Sequence, residues 1–185
     1  MELRRGFKKE AHDHARELRS EMGIKKHEPL SSWKLAKHLE IPVLSLSEFY
    51  SELPKEVKYL KEKNRECFSA ITVFLGMRRL IVHNDAHHLF RQSANIAHEI
   101  SHAILRHRPT APFDENGCRN FNKEIEEEAN WLGPALLISE EAAQHILKQQ
   151  MSIDSAAQYY CASTKVVEMR LNVTGARIRH NRKSR

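Results

Sequence analysis

His98-Glu99-Ile100-Ser101-His102 places two imidazoles four residues apart, with a carboxylate directly after the first, inside a stretch that reads as one long helix. On an α-helix, positions i and i+4 lie one above the other on the same face. Imidazoles so placed can grip one metal ion at about 2.0–2.1 Å each. Glu99, between them, is placed to take a proton from a water that the metal activates. Such a chain must find a third ligand elsewhere and present a groove in front of this helix.

Twelve of the 185 residues are histidine, so a chance match to the pattern is easier here than in most chains. A helical wheel argues against chance. Across 96–107, Ile96, Ala97, Ile100, Ala103 and Ile104 fall on one apolar arc that should face the core. His98 and His102 fall roughly opposite its centre, with Glu99 beside them. They form a second, polar face, useful only if something else meets it.

The length suits one domain with a sizeable core. Cys67, Cys118 and Cys161 are widely spaced and odd in number, which fits a reducing cytoplasm better than a disulfide framework. No C-x-x-C occurs, so cysteine-rich zinc fingers are excluded. Met1–Gly6 has no apolar run after its basic residues, so no secretory signal is expected. The longest apolar run, about Ala70–Met77, is far short of a membrane span. The formal net charge is +6, much of it at the ends, with Arg177, Arg179, Arg182, Lys183 and Arg185 in the last nine residues. A basic tail suits nucleic acid or an acidic partner, but is more often a solvated, frayed terminus, and nucleic-acid contact is not favoured.

Along the chain, Leu3, Phe7, Ala11, Leu18 and Met22 predict an amphipathic helix stopped by Gly23. Ser31/Ser32 can cap a short helix through Leu39. Ile41–Leu46 reads as a strand with Pro42 near its start. Ser47-Glu48 begins a helical stretch, and Pro54 starts the next, to Lys63. Cys67–Leu75 and Arg79–His83 predict a hairpin around Gly76. An exposed edge of that pair could hold an extended peptide over the metal; the plainer alternative is a sheet that only covers the core. The metal helix should run from about Leu89 to Arg106. Residues 108–122 form the least regular stretch, either a rim or lid over the cleft or an ordinary connection.

In Glu124–Ile138, Ile125, Ala129, Leu132 and Leu136 form an apolar stripe. Glu127 points away from it and should be solvated. Glu126 and Glu128 lie at its two margins, and the wheel does not choose between them as a third ligand. Asn130, at i+4 from Glu126, could hydrogen-bond a ligating imidazole from behind, which favours Glu126. Pro134 should kink this helix. Further helices are expected over Glu140–Gln150 and, as two short ones, over 152–174. The latter pair has a conceivable helix-turn-helix spacing, but its second helix carries only Lys165 and Arg170 as cations, so core packing is expected.

These pieces resemble the metallopeptidase family of phage-repressor-cleaving immunity proteases and radiation-response regulators, the ImmA/IrrE family. The resemblance rests on Arg91-Gln92 leading to His98-Glu99-Ile100-Ser101-His102-Ala103-Ile104-Leu105, then Glu126-Glu127-Glu128-Ala129-Asn130-Trp131-Leu132. Leu136-Leu137-Ile138-Ser139 is similar to the family's L-L-M-P, and Ser163 with Arg170-Leu171 to its closing segment; together these span 91–171. Gly133-Pro134, where the family commonly has two small residues such as Ala, and Ser139 in place of Pro are departures. Leu105 and Arg108 occupy the glycine and third-histidine positions of metzincins, which disfavours that class.

The resemblance implies a gluzincin-type site with His98, His102 and Glu126 as ligands and Glu99 as the catalytic base. It implies an α+β, zincin-like fold, mostly helical, with a small, about three-stranded sheet beside the active-site helix. The division expected is a metallopeptidase domain over 1–150, a helical segment over 151–175 packed on it, and a basic tail over 176–185. Zn²⁺ is inferred over manganese or iron from the ligand types. The implied activity is cleavage of one protein, a helix-turn-helix repressor or regulator, in the cytoplasm and away from membranes. His87, His88, His107, Tyr159 and Tyr160 are the candidates for stabilising the oxyanion. The competing reading is a regulatory DNA- or repressor-binding protein with a structural or vestigial metal.

Overall fold

The computed structural model describes residues 3–76, 78–107 and 122–183. Helix α1 (Phe7–Glu21) starts four residues later than the apolar spacing suggests, after Gly6 at φ +86. It buries Phe7, Ala11, Ala15 and Leu18, one or two per turn, while Leu3 packs against the same core from the preceding segment. Helix α2 (Ser32–His38) is capped by Ser31, whose hydroxyl accepts from the Lys34 amide.

Strand β1 (Val43–Ser45) is shorter than the apolar run. Glu48 accepts from the Ser45 amide at 2.6 Å and closes a capping box, which turns the chain into a 3₁₀ turn at Leu46–Phe49. Helix α3 (Pro54–Lys58) has its proline in the first turn, as expected, and passes into a π-turn at Tyr59–Lys63. Strands β2 (Ala70–Leu75) and β3 (Arg78–His83) form the antiparallel hairpin, with Gly76 at φ +63 in the turn. The sheet of the described residues has the order β1-β3-β2, with β1 parallel to β3. β3 is central and buries Ile81, Val82 and His83. β2 has a strand partner on one side only among the described residues.

Helix α4 (Leu89–Ile104) lies between this sheet and helix α5 (Lys123–Leu137), and carries the histidine motif. The fold is therefore α+β and zincin-like. Phe7, Ala11, Ile81, Ile96, Ile100, Leu132 and Leu136 form one core cluster joining α1, β3, α4 and α5. The irregular stretch expected at 108–122 lies outside the described residues except for Asn122, which caps α5 by accepting from the Glu124 amide.

Helices α6 (Glu140–Lys148), α7 (Ile153–Tyr159) and α8 (Thr164–Val173) build a second cluster on the end of α5 from Leu137, Ile138, Ala143, Ile146, Ala157, Tyr160, Val167 and Leu171. The last turn of α5 leaves carbonyls without helical partners. Two buried arginines take them up. Arg19 donates to the carbonyls of Leu136 and Leu137 at 2.9 and 3.3 Å, and Arg170 to that of Ile138 at 2.9 Å. Burial lowers the pKa of each to about 10, which still leaves both guanidinium groups charged at neutral pH. The basic C-terminal stretch is not frayed up to Lys183. It forms helix α9 (Ala176–Lys183), anchored by buried Ala176 and by Arg179, which donates to Glu140 at 2.7 Å. No helix among the described residues is long and apolar enough to cross a membrane.

Candidate metal centre

The centre is assembled from one face of α4 and the first turns of α5. The Nε2 atoms of His98 and His102 are 3.1 Å apart. Glu126 reaches between them, with Oε2 3.3 Å from His98 Nε2 and Oε1 3.7 Å from His102 Nε2. These three residues form the one group of metal-ligand type among the described residues. A tetrahedral ion with bonds of about 2.0–2.1 Å separates its ligand atoms by about 3.3 Å. The two imidazole nitrogens already lie close to two corners of such an ion, and each oxygen of Glu126 comes near a different imidazole.

Close approach of the two helices makes this convergence possible. Glu126 and Gly133 are seven residues apart on one face of α5. A Cβ at Gly133 would sit 3.2 Å from the His98 backbone nitrogen, 3.3 Å from its Cα and 3.4 Å from the Ala97 carbonyl carbon. The missing side chain lets α5 lie against the α4 backbone at the first histidine itself. Gly133 is thus part of what lets the helix that carries Glu126 lie close to the helix that carries the imidazoles. The helix continues through Pro134 to Leu137, although proline has no N–H for the carbonyl of Asn130.

The two glutamates that the wheel left open take different places. Glu126 joins the histidines. Glu128 accepts from His107 Nε2 at 3.2 Å and from Arg4 Nε at 2.7 Å. Glu127 is half-buried rather than fully solvated. Asn130 does not take the supporting position expected of it: it is exposed, and among the described residues no hydrogen bond joins it to either imidazole. His102 Nδ1 instead meets His107 Nδ1 at 2.9 Å.

Glu99 points from α4 toward the sheet and accepts a 2.6 Å hydrogen bond from the Thr72 hydroxyl on β2. Desolvation pushes its pKa up, with Glu126 acting in the same direction, against the lowering effects of Thr72 and His98. Desolvation pulls His102 down to about 4, and His98 and His107 add to this against Glu126. His102 is therefore neutral at neutral pH, with a lone pair available to a cation.

Of the five residues considered for the oxyanion, His107 alone approaches this centre, and it does so from behind His102. His87 is hydrogen-bonded to the Arg65 carbonyl, and His88 caps the distant N-terminus of α4. Tyr160 donates to the His27 carbonyl and Tyr159 is exposed beside it. Thr72 and Arg4 were not singled out from the sequence. The alternation of β2 gives a face but no contact across to α4, and nothing local in the N-terminal segment points to Glu128.

A helix bearing H-E-x-x-H beside a small mixed sheet, met by a carboxylate from the following helix, defines a zincin-like arrangement of metallopeptidase type. A family model described as Peptidase_M78, the IrrE N-terminal-like domain, matches residues 36–172, and the chain belongs to that metallopeptidase family. The matched region begins inside α2, so α1, which supplies part of the main core, lies outside it. Comparisons with curated proteins and with solved structures find no significant match.

Proposed function

We propose that the chain is a zinc-dependent endopeptidase, with His98, His102 and Glu126 as the metal ligands and Glu99 as the base. The observation that carries this reading is the convergence of His98, His102 and Glu126, whose ligand atoms, one from each, all lie within 4.8 Å of one another, a grouping of the type that holds a small cation. Two imidazoles and one carboxylate leave a position open, and zinc held there would supply Lewis-acid polarisation of a peptide carbonyl and a lowered pKa for water.

Glu99 takes a proton from the attacking water, whose oxygen bonds to the carbonyl carbon. Glu99 then returns the proton to the amine nitrogen as the C–N bond breaks. The Thr72 hydroxyl holds one oxygen of Glu99 and so orients the carboxylate. The raised pKa of this buried carboxyl suits a group that must hold a proton between the two steps. An extended substrate segment pairing along the outer edge of β2 would bring its backbone alongside the strand that orients the base.

The substrate proposed is a single helix-turn-helix repressor or regulator in the cytoplasm. The resemblance supports the target, and the free thiols of Cys67 and Cys161 suit the compartment. Purified protein should bind about one zinc. His98→Ala should lose it, whereas Glu99→Gln should keep the metal and lose cleavage of a co-expressed repressor, read by mass spectrometry. Full zinc retention by the His98→Ala/His102→Ala double variant would end this reading.

A further inference from the structure

Helix α4 ends in a way that folds one more histidine back onto the centre. Arg106 adopts φ +54, a left-handed conformation uncommon for a side chain of this type. Its amide donates to the Ala103 carbonyl at 3.1 Å, and the His107 amide donates to the His102 carbonyl at 3.0 Å. This pair of bonds is a Schellman stop, and it returns residue 107 to the side of residue 102. The His107 side chain is 9% exposed and that of Glu128, its next partner, 15%.

The contacts beyond His102 admit one proton arrangement that suits a metal. His102 must present the bare lone pair of Nε2 toward His98 and Glu126, so its proton sits on Nδ1. That nitrogen lies 2.9 Å from His107 Nδ1, which must then accept. The proton of His107 is therefore on Nε2, where it is donated to Glu128 at 3.2 Å. The reverse arrangement would put an N–H of His102 where the cation belongs and turn a bare nitrogen of His107 toward a carboxylate. Arg4 holds the other oxygen of Glu128 at 2.7 Å and also donates to Glu10 at 2.7 Å.

We propose that His107 and Glu128 form an outer relay that locks His102 into its metal-binding tautomer, with Arg4 orienting the carboxylate. This rests on the metal-centre reading above and adds positioning residues to it. The relay draws on the end of α4, the first turns of α5 and the segment before α1, so the affinity of the centre depends on all three. Arg4 is half exposed and contributes least.

The test is zinc affinity of the full chain, measured by competition with a chromophoric chelator, with melting of the metal-free form as a control for folding. His107→Leu and Glu128→Ala should each weaken zinc binding about 10–100-fold, the usual range for partners behind a ligating imidazole. His107→Gln should recover most of the loss, because its amide oxygen can accept from His102 Nδ1 while its N–H donates to Glu128. Arg4→Ala should cost less than either. Wild-type affinity in both His107→Leu and Glu128→Ala would overturn the relay, as would a His107→Gln protein no better than His107→Leu. His98→Ala separates the two levels: if it abolishes binding while the relay variants do not, only the relay fails; if it binds zinc normally, the metal centre itself fails.

Discussion

Gly133→Ala tests whether helix contact, rather than ligand chemistry alone, sets the metal centre. Inside a helix this change should stabilise by roughly 0.5–1 kcal/mol through lower chain entropy. Here the new methyl would lie 3.2 and 3.3 Å from the His98 backbone nitrogen and Cα, closer than ordinary van der Waals contact. Neither atom is the free end of a side chain. Ile96 and Ile100 bury the opposite side of α4 completely, so the helix cannot back away without disturbing the core. Overpacking of this kind costs about 1–3 kcal/mol. The two effects leave a net loss of about 1 kcal/mol, or a fall of about 2–4 °C in melting temperature for a chain of this length. A displacement of a few tenths of an ångström also acts on donor gaps that already reach 3.7 Å at Glu126, so zinc affinity should fall about tenfold, equivalent to about 1.4 kcal/mol. Thermal melting of the metal-free protein and chelator competition on the same sample read the two quantities separately. A Gly133→Ala protein that melts higher and binds zinc as wild type does would refute the close-contact argument.

Thr72→Val removes the hydroxyl that holds Glu99, a hydrogen bond to a carboxylate worth about 1.5–3 kcal/mol, so kcat should drop by about ten- to a hundredfold with zinc content unchanged, and Thr72→Ser should recover most of it. Loss of metal in Thr72→Val would show a structural role instead. Arg19→Met strips donors from the carbonyls of Ala15, Glu28, Leu136 and Leu137 and should destabilise by about 2–4 kcal/mol in urea unfolding; a change below about 0.5 kcal/mol would contradict that role. Burial lowers the pKa of His12 and His83 below 6.5, so below that value the unfolded chain binds more protons than the folded one. Stability present above the unfolded value should therefore be lost as pH falls below 6.5, and a melting temperature that rises as the pH is lowered from that value would contradict it.

What the amino-acid order determined by itself is the chemistry of α4 and the elements around it. His98, Glu99 and His102 share a polar face because the helical period alone sets that relation, and the apolar arc of Ile96, Ile100 and Ile104 shows which side is inward. Gly76 between two β-rich runs and the proline at 54 mark the hairpin and a helix start for equally local reasons. The helical wheel leaves Glu126 and Glu128 open, and the resemblance points to Glu126. Because a wheel gives direction about one axis and says nothing of where a neighbouring helix lies, the tertiary structure adds the placement, Glu126 beside the imidazoles and Glu128 against His107 and Arg4. It also replaced Asn130 by His107 behind His102, since the position of His107 depends on the left-handed turn at Arg106 and on its contact with Glu128 of α5. Thr72 and Arg4 became visible for the same reason. Side chains distant in sequence acquire a common function through the packing of α4 against β2 and α5, and packing of that kind has no period to read.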